Sequence, residues 1–510
     1  MNSCSKIKSG FLLLFFFVFT FFASAQHHKR QMRAVWIATV ENIDWPSDST
    51  LTVQEQKREL VALLDNFKEC NINTVIFQAR PTADAFYISN IESWSQYLTG
   101  KAGRAPNPLY DPLQFLIEEA HKRCMEVHVW LNPYRVLNNA DVTQICPKHL
   151  FHRKPELFVK YGDKWYFNPA HRETRQYVNR VVRDIVQRYD IQAVHFDDYF
   201  YPYTVAGETF PDAQYFRDNP RGFTNIGDWR RDNVTTVIRE LRQTIKSTKP
   251  WVEFGISPFG VWRNQDRDRR GSATRAGQTN YDNLYADLLH WIEYEYIDYV
   301  IPQLYWHIGN RSVDYAVAAD WWNSHAGNVN LYIGLFASGF TQPNYPSAWR
   351  TGNELARQLR FNKRFDNIKG VAIYSGRPFS RNPQGIRDSL QNNFFKYPAL
   401  VPINQLTKRG NNDRIHNLRI DNTGGKRELR WDATTGRDGN ATMYYVVYYF
   451  RGDRIGDTEN PQNILTLTPN NSVDLRELTR SFRGTYTFTV TSINRWKYES
   501  DARNYVTLVF

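Results

Sequence analysis

Two adjacent carboxylates, Asp197 and Asp198, close the run Gln192-Ala193-Val194-His195-Phe196-Asp197-Asp198-Tyr199-Phe200-Tyr201-Pro202. The run opens as a short apolar strand and ends in an aromatic loop stopped by proline. Neighbouring carboxylates resist ionising together, so such a pair splits its titration into one ionised and one protonated group. That is the equipment general acid–base chemistry needs. His195 stands two residues before Asp197 and so shares its face of the strand.

The elements that position this pair repeat along the chain. Apolar strand-like runs fall at 34–40, 74–79, 127–131, 193–197, 252–257, 299–304, 331–336 and 370–374. Amphipathic stretches separate them, as at 53–69, 112–123, 172–188, 229–246, 282–294, 315–325, 353–363 and 385–395. Eight such units with near-continuous apolar strands predict an α/β fold closing as a (β/α)8 barrel. No Gly-rich phosphate turn follows the first strand, which argues against an open dinucleotide-binding sheet. Segments entering strands are short (70–73, 189–192), and segments leaving them are long (80–111, 132–171, 198–228, 258–281). Long loops on one face of a rigid barrel mark the face that carries function.

The residues at that face are of one kind. The first strand leads to Glu41 and Trp45, the second to Gln78, Arg80 and Asp84, and the third to Trp130, Asn132 and Arg135. The fourth brings His195, the Asp pair and Tyr199, and the fifth Ser257. The sixth supplies Gln303, Tyr305 and Trp306, and the eighth Tyr374. Aromatic faces take the CH groups of a sugar, while amides, acids and arginines take its hydroxyls. The pattern expects a polysaccharide as partner, with Asp197 and Asp198 catalytic and the others, Ser257 and Trp130 aside, binding substrate.

After about residue 398 period-2 strands recur without helices, at 427–431, 443–450, 464–467, 485–493 and 504–510, which predicts a small all-β immunoglobulin-like sandwich over 399–510. Tyr486, Phe488 and Val490 are expected in its core. At the other end, Lys6 and Lys8, the apolar 11–22 and Ala23-Ser24-Ala25 read as a secretory signal over 1–25. The expected location is outside the cytoplasm: periplasmic, envelope-associated or secreted, with no stable membrane insertion after cleavage. The barrel then occupies 26–398. A net charge of +12, or +10 without the leader, is dispersed rather than run together, so nucleic acid is not an expected partner. Cys70, Cys124 and Cys146 give an odd mature count and no zinc spacing, so neither a disulfide scaffold, a metal nor a cofactor is expected.

The barrel resembles the glycosyl-hydrolase-like family 10, an exported bacterial group. The motifs that carry this are Arg33-Ala34-Val35-Trp36, Asn42-Ile43-Asp44-Trp45-Pro46, Gln78-Ala79-Arg80-Pro81 with Asp84, and Trp130-Leu131-Asn132-Pro133-Tyr134-Arg135. Asn168-Pro169, His195-Phe196-Asp197-Asp198-Tyr199 and the run from Tyr299 to Trp306 complete them. The tail resembles a fibronectin type III module. The resemblance implies glycan hydrolysis and leaves two mechanisms open. His-Phe-Asp is similar to the Arg-x-Asp of α-amylase-type barrels, which implies Asp197 as nucleophile; those enzymes carry a glutamate at the end of strand five, where this chain has Ser257. Asp-Asp is also similar to the pair of barrel N-acetylglucosaminidases, in which one Asp orients the 2-acetamido group and its neighbour protonates the leaving oxygen. The second reading points to peptidoglycan glycan strands, with Asp198 as proton donor and Asp84 as a binding residue held to Arg80.

Overall fold

The computed structural model describes residues 28–510 except 343, 351, 408–411, 423 and 425. The expected leader lies outside the described residues. Eight parallel strands form a closed barrel: β1 (Met32–Ile37), β2 (Thr74–Arg80), β3 (Glu126–Leu131), β4 (Ala193–Phe196), β5 (Glu253–Ile256), β6 (Tyr299–Val300), β7 (Asn330–Phe336) and β8 (Ile368–Tyr374). Their order around the barrel is their order in the chain, and β1 closes on β8 through Met32–Val35 against Gly370–Ile373.

Every residue of β1 to β5 is buried, which is why these runs read as continuously apolar. Outward side chains such as Val194 and Phe196 join the large core under the helices, while Ala34, Trp36, Trp130 and Ala193 pack in the smaller interior cluster. The surrounding helices begin where local chemistry dictates: Val53–Glu69 opens on a capping box between Thr52 and Glu55. Ile226–Thr248 is capped by Asn225. Two expected helices are cut short. The stretch 282–294 is helical only over Leu288–Glu293, and 385–395 splits into Ile386–Ser389 and a wider turn Leu390–Phe394. The sixth strand is likewise reduced to Tyr299–Val300, because Pro302 lacks the N–H a longer ladder needs.

The long loop after β3 builds its own antiparallel sheet, in which Lys164–Phe167 lies between Arg135–Leu137 and Phe158–Tyr161. This holds Arg135 and Lys164 over the barrel mouth.

The C-terminal region contains β9 (Arg419–Asp421), β10 (Glu428–Arg430), β11 (Thr442–Arg451), β12 (Ile464–Thr468), β13 (Ser472–Asp474), β14 (Thr485–Asn494) and β15 (Tyr505–Val509). They form two antiparallel sheets, β9-β10-β13 and β12-β11-β14-β15. Leu429 and Trp431 meet Tyr445, Val447, Phe488 and Val490 between the sheets. Of the expected core, Phe488 and Val490 are buried and Tyr486 is half-buried. The other face of β11 carries Tyr444, Val446, Tyr448 and Phe450, which pack with Leu400 and Cys124. The larger sheet is therefore covered on both sides, once by its partner sheet and once by the barrel. The three described cysteines are free and buried. Burial pushes the Cys70 and Cys124 thiols up to about 12, which makes them packing groups. Among the described residues no helix is long and apolar enough to cross a membrane.

Candidate active site

The period-2 pleat of β4 turns Ala193, His195 and then Asp197 toward the barrel axis. Asp197 and Asp198 emerge just past the strand's end, on the wall of a cavity of about 380 Å³ at the mouth. The two carboxylates are held differently. Asp197 accepts hydrogen bonds from the Trp130 indole N–H (3.0 Å), the Asn132 amide (3.1 and 3.3 Å) and the Tyr199 backbone N–H (3.4 Å). Asp198 accepts the Tyr203 hydroxyl and is touched by the Gln303 amide, which also donates to Ser257 O at 2.9 Å. Burial raises both pKa values. For Asp197 the charge of Arg135 and the Trp130 and Asn132 donors oppose that rise. For Asp198 the charge of Asp197 adds to it, and the carboxyl is pushed up to about 7. The two carboxyls are thus held unequally: Asp198 keeps its proton up to about 7, while Arg135 and the Trp130 and Asn132 donors oppose the rise at Asp197.

Around the pair, Trp36, Tyr305 and Tyr374 form an aromatic wall: Tyr305 lies 5.8 Å from Tyr374, which stands 6.2 Å from Trp36. Arg135 stacks 4.6 Å above the Tyr199 ring, and its guanidinium donates a 3.4 Å hydrogen bond to Asn138. Asn138 donates to Glu41 at 3.1 Å on the far lip. Glu41 and Asn42 adopt left-handed backbone conformations (φ 52° and 54°), a local strain that aims Glu41 at the cavity. Gln78 accepts from Thr39 and Val40 N–H through its oxygen, and its buried amide nitrogen has no partner. Gln78 is also one of the residues that line the cavity. Among the described residues no group of three His, Cys, Asp or Glu side chains is placed to hold a metal.

Of the expected site residues, the structure brings Glu41, Gln78, Arg135, Tyr199, Gln303, Tyr305 and Tyr374 to the cavity with the Asp pair. Asn132 lies behind it, holding Asp197. Five others are not among the residues that line the cavity. Trp45 is buried and donates to Gln56 O at 2.8 Å. Arg80 is not paired with Asp84: its guanidinium forms a buried ion pair with Glu92 at 2.7 Å and donates to Asn132 O. Asp84 instead accepts Thr82 N–H and O–H, both at 3.0 Å, and braces its own loop. Trp306 packs edge-on against Phe259 at 5.4 Å, and His195 is sealed in the barrel axis. The cavity also holds Trp36, Asn138 and Lys164, which sequence reasoning missed, and Tyr203, whose bond to Asp198 it did not foresee. Trp36 had a signal, since Ala34, Trp36 and Ala38 share an inward parity; Lys164 sits on an inserted sheet and had none.

A closed parallel barrel with paired carboxylates and an aromatic wall at the strand tips is the design of a barrel glycoside hydrolase. The comparisons agree. The Glycosyl hydrolase-like 10 family model matches residues 31–349, and the chain belongs to that family. It is 41% identical over 519 residues to Glycosyl hydrolase YngK of Bacillus subtilis, spanning 98% of this chain and 99% of that protein. It is 37% identical over 374 residues to Glycosyl hydrolase DigH of Escherichia coli, covering 69% and 84% of the two chains. The catalytic domain of a β-amylase from Paenibacillus polymyxa shares the fold, with a TM-score of 0.50 at 12% identity over 73% of this chain and 99% of that one.

Proposed function

We propose that this glycoside hydrolase is an exported enzyme that cleaves N-acetylated glycan strands of the bacterial cell wall, with Asp198 as proton donor and Asp197 as the ionised partner that orients the substrate's 2-acetamido group. The observation that carries the reading is the asymmetry of the pair. Asp197 collects indole, amide and backbone donors beside Arg135, which favours its ionised form, while Asp198 sits against a like charge with its carboxyl near 7. In a substrate-assisted cleavage Asp198 gives its proton to the departing glycosidic oxygen. The acetamido oxygen closes on the anomeric carbon, and Asp197 stabilises the cationic ring that forms. Water then opens that ring and returns the proton to Asp198. The aromatic wall suits a sugar ring.

Support against an amylase-type scheme comes from β5, whose tip is Ser257 and whose acid, Glu253, sits at the opposite end of the strand. A second reading keeps one further acid in view, because Glu41 lines the same cavity. Incubation with purified N-acetylated glycan strands tests the proposal. New reducing ends are expected with the wild type and none with Asp198→Asn. Cleavage of polymers lacking a 2-acetamido group, with N-acetylated strands left intact, overturns it.

A further inference from the structure

A chain of buried polar groups runs down the barrel axis from the mouth to the floor. Ser257 Oγ lies 2.9 Å from His195 Nε2, and His195 Nδ1 is 3.1 Å from the Tyr299 hydroxyl. The same hydroxyl is 2.9 Å from His128 Nδ1, and His128 Nε2 is 3.2 Å from Glu126 Oε2. At the floor Lys497, from the turn after β14, places its ammonium 3.3 Å from Glu126 and 2.8 Å from Glu253. Lys497 is only 4% exposed. Gly255 makes the chain possible, because a Cβ there would lie 1.9 Å from the Tyr299 ring.

The hydrogens of this chain can run in only two ways, since Tyr299 has one proton to share between two imidazoles. In the downward sense Ser257 donates to His195 Nε2, His195 Nδ1–H donates to Tyr299, Tyr299 donates to His128 Nδ1, and His128 Nε2–H donates to Glu126. In the upward sense every bond reverses, and the bare His128 Nε2 then faces Glu126, which must itself carry a proton. Lys497 excludes that: an ammonium beside Glu126 holds the carboxylate ionised, against the burial that would protonate it. Burial keeps both histidines neutral. The remaining acceptor for Ser257, the Phe196 carbonyl, is farther away at 3.4 Å.

We infer that Lys497 of the C-terminal domain is a positioning residue for the active site: by fixing Glu126 as an acceptor it directs the chain downward, so that Ser257 spends its proton on His195 and turns only lone pairs to the cavity. Ser257 lines that cavity beside the Asp pair, so it accepts a hydrogen bond from a hydroxyl or amide N–H of the substrate and repels a group that has only lone pairs.

The tautomers are directly readable. Nitrogen-15 NMR of the full chain is expected to show His195 protonated on Nδ1 and His128 on Nε2, opposite forms in one protein. In Lys497→Met, and in Lys497→Met/Glu126→Gln, His195 loses its single Nδ1–H form; Lys497→Arg keeps it. On whichever glycan the wild type cleaves, kcat falls about tenfold in the Met variants, the scale of one misdirected hydrogen bond, and Lys497→Arg recovers it. Wild-type His195 protonated on Nε2, two histidines of the same form, or tautomers unmoved by Lys497→Met would each overturn the inference. The spectra need no substrate, so they decide even where the cell-wall reading fails, and the wild-type spectrum decides even where a variant does not fold.

Discussion

Asp198 is a side chain whose cost and use have the same origin. Its carboxyl titrates near 7 in the folded chain, well above the ordinary value of 3.8. The folded state therefore binds this proton more tightly than the unfolded one. The stability so gained is full below the unfolded value and is lost as pH rises through about 7. Asp198→Asn removes the titrating group. Relative to the wild type, its melting temperature is expected to gain between about pH 4 and 7 and to level off above that in thermal melts, while turnover falls by roughly 10²–10⁴-fold. The wild-type rate should decline through about pH 7 as Asp198 loses its proton, and a rate that climbs there would remove it from the acid role. Glu41 supplies the contrasting case. Glu41→Gln is expected to keep turnover within about threefold, since an exposed carboxylate hydrogen-bonded to Asn138 contributes no more than a binding contact. A loss as large as that of Asp198→Asn, read by reducing-end release, favours Glu41 as a second catalytic acid.

At the scale of elements, the barrel is held at its mouth by the Arg80–Glu92 ion pair, which ties the end of β2 to the loop that follows it. Both partners are buried, so removing one strands the other. Arg80→Met is expected to destabilise the fold by about 3–5 kcal/mol in denaturant titrations. Arg80→Met/Glu92→Leu should recover most of that. The strands themselves were legible, because parallel strands covered on both faces must be apolar throughout, and β2, β3 and β7 fall within a residue or so of their expected bounds. The Asp pair was legible because a strand end locates it. Arg80 and Asp84 misled because a motif locates a residue along the chain but not the direction of its side chain: the loop after β2 folds Glu92 back under Arg80. Lys164 and the axial chain were invisible for a related reason. Apart from Glu126 and His128, the groups that meet along the axis lie tens to hundreds of residues apart, and no local period carries such distances.

The whole molecule behaves as one body rather than as a catalytic unit with an appendage. The C-terminal sheet is covered by the barrel, Arg495 binds Asp190 at 2.5 Å, and Trp496 stands against Trp251 at 6.3 Å. Truncation after residue 402 exposes Tyr444's contact face on the barrel, Leu400 and Cys124, and strips Glu126 and Glu253 of their counter-ion. The truncated chain is expected to be insoluble or to melt far below the full protein, measured by soluble yield and calorimetry. A barrel that folds alone with unchanged stability would show the interface to be incidental.

The position of Lys497 along the chain also sets a timetable. It follows one of its partners, Glu253, by 244 residues and the other, Glu126, by still more, and those carboxylates belong to the fifth and third strands. Domains ordinarily fold from the N-terminus as they are synthesised. Here the floor of the barrel stays electrostatically open until Lys497 has been added. Ribosome-bound chains halted before Lys497 should therefore be protease-sensitive throughout, and resistance should arrive in one step once Lys497 has emerged.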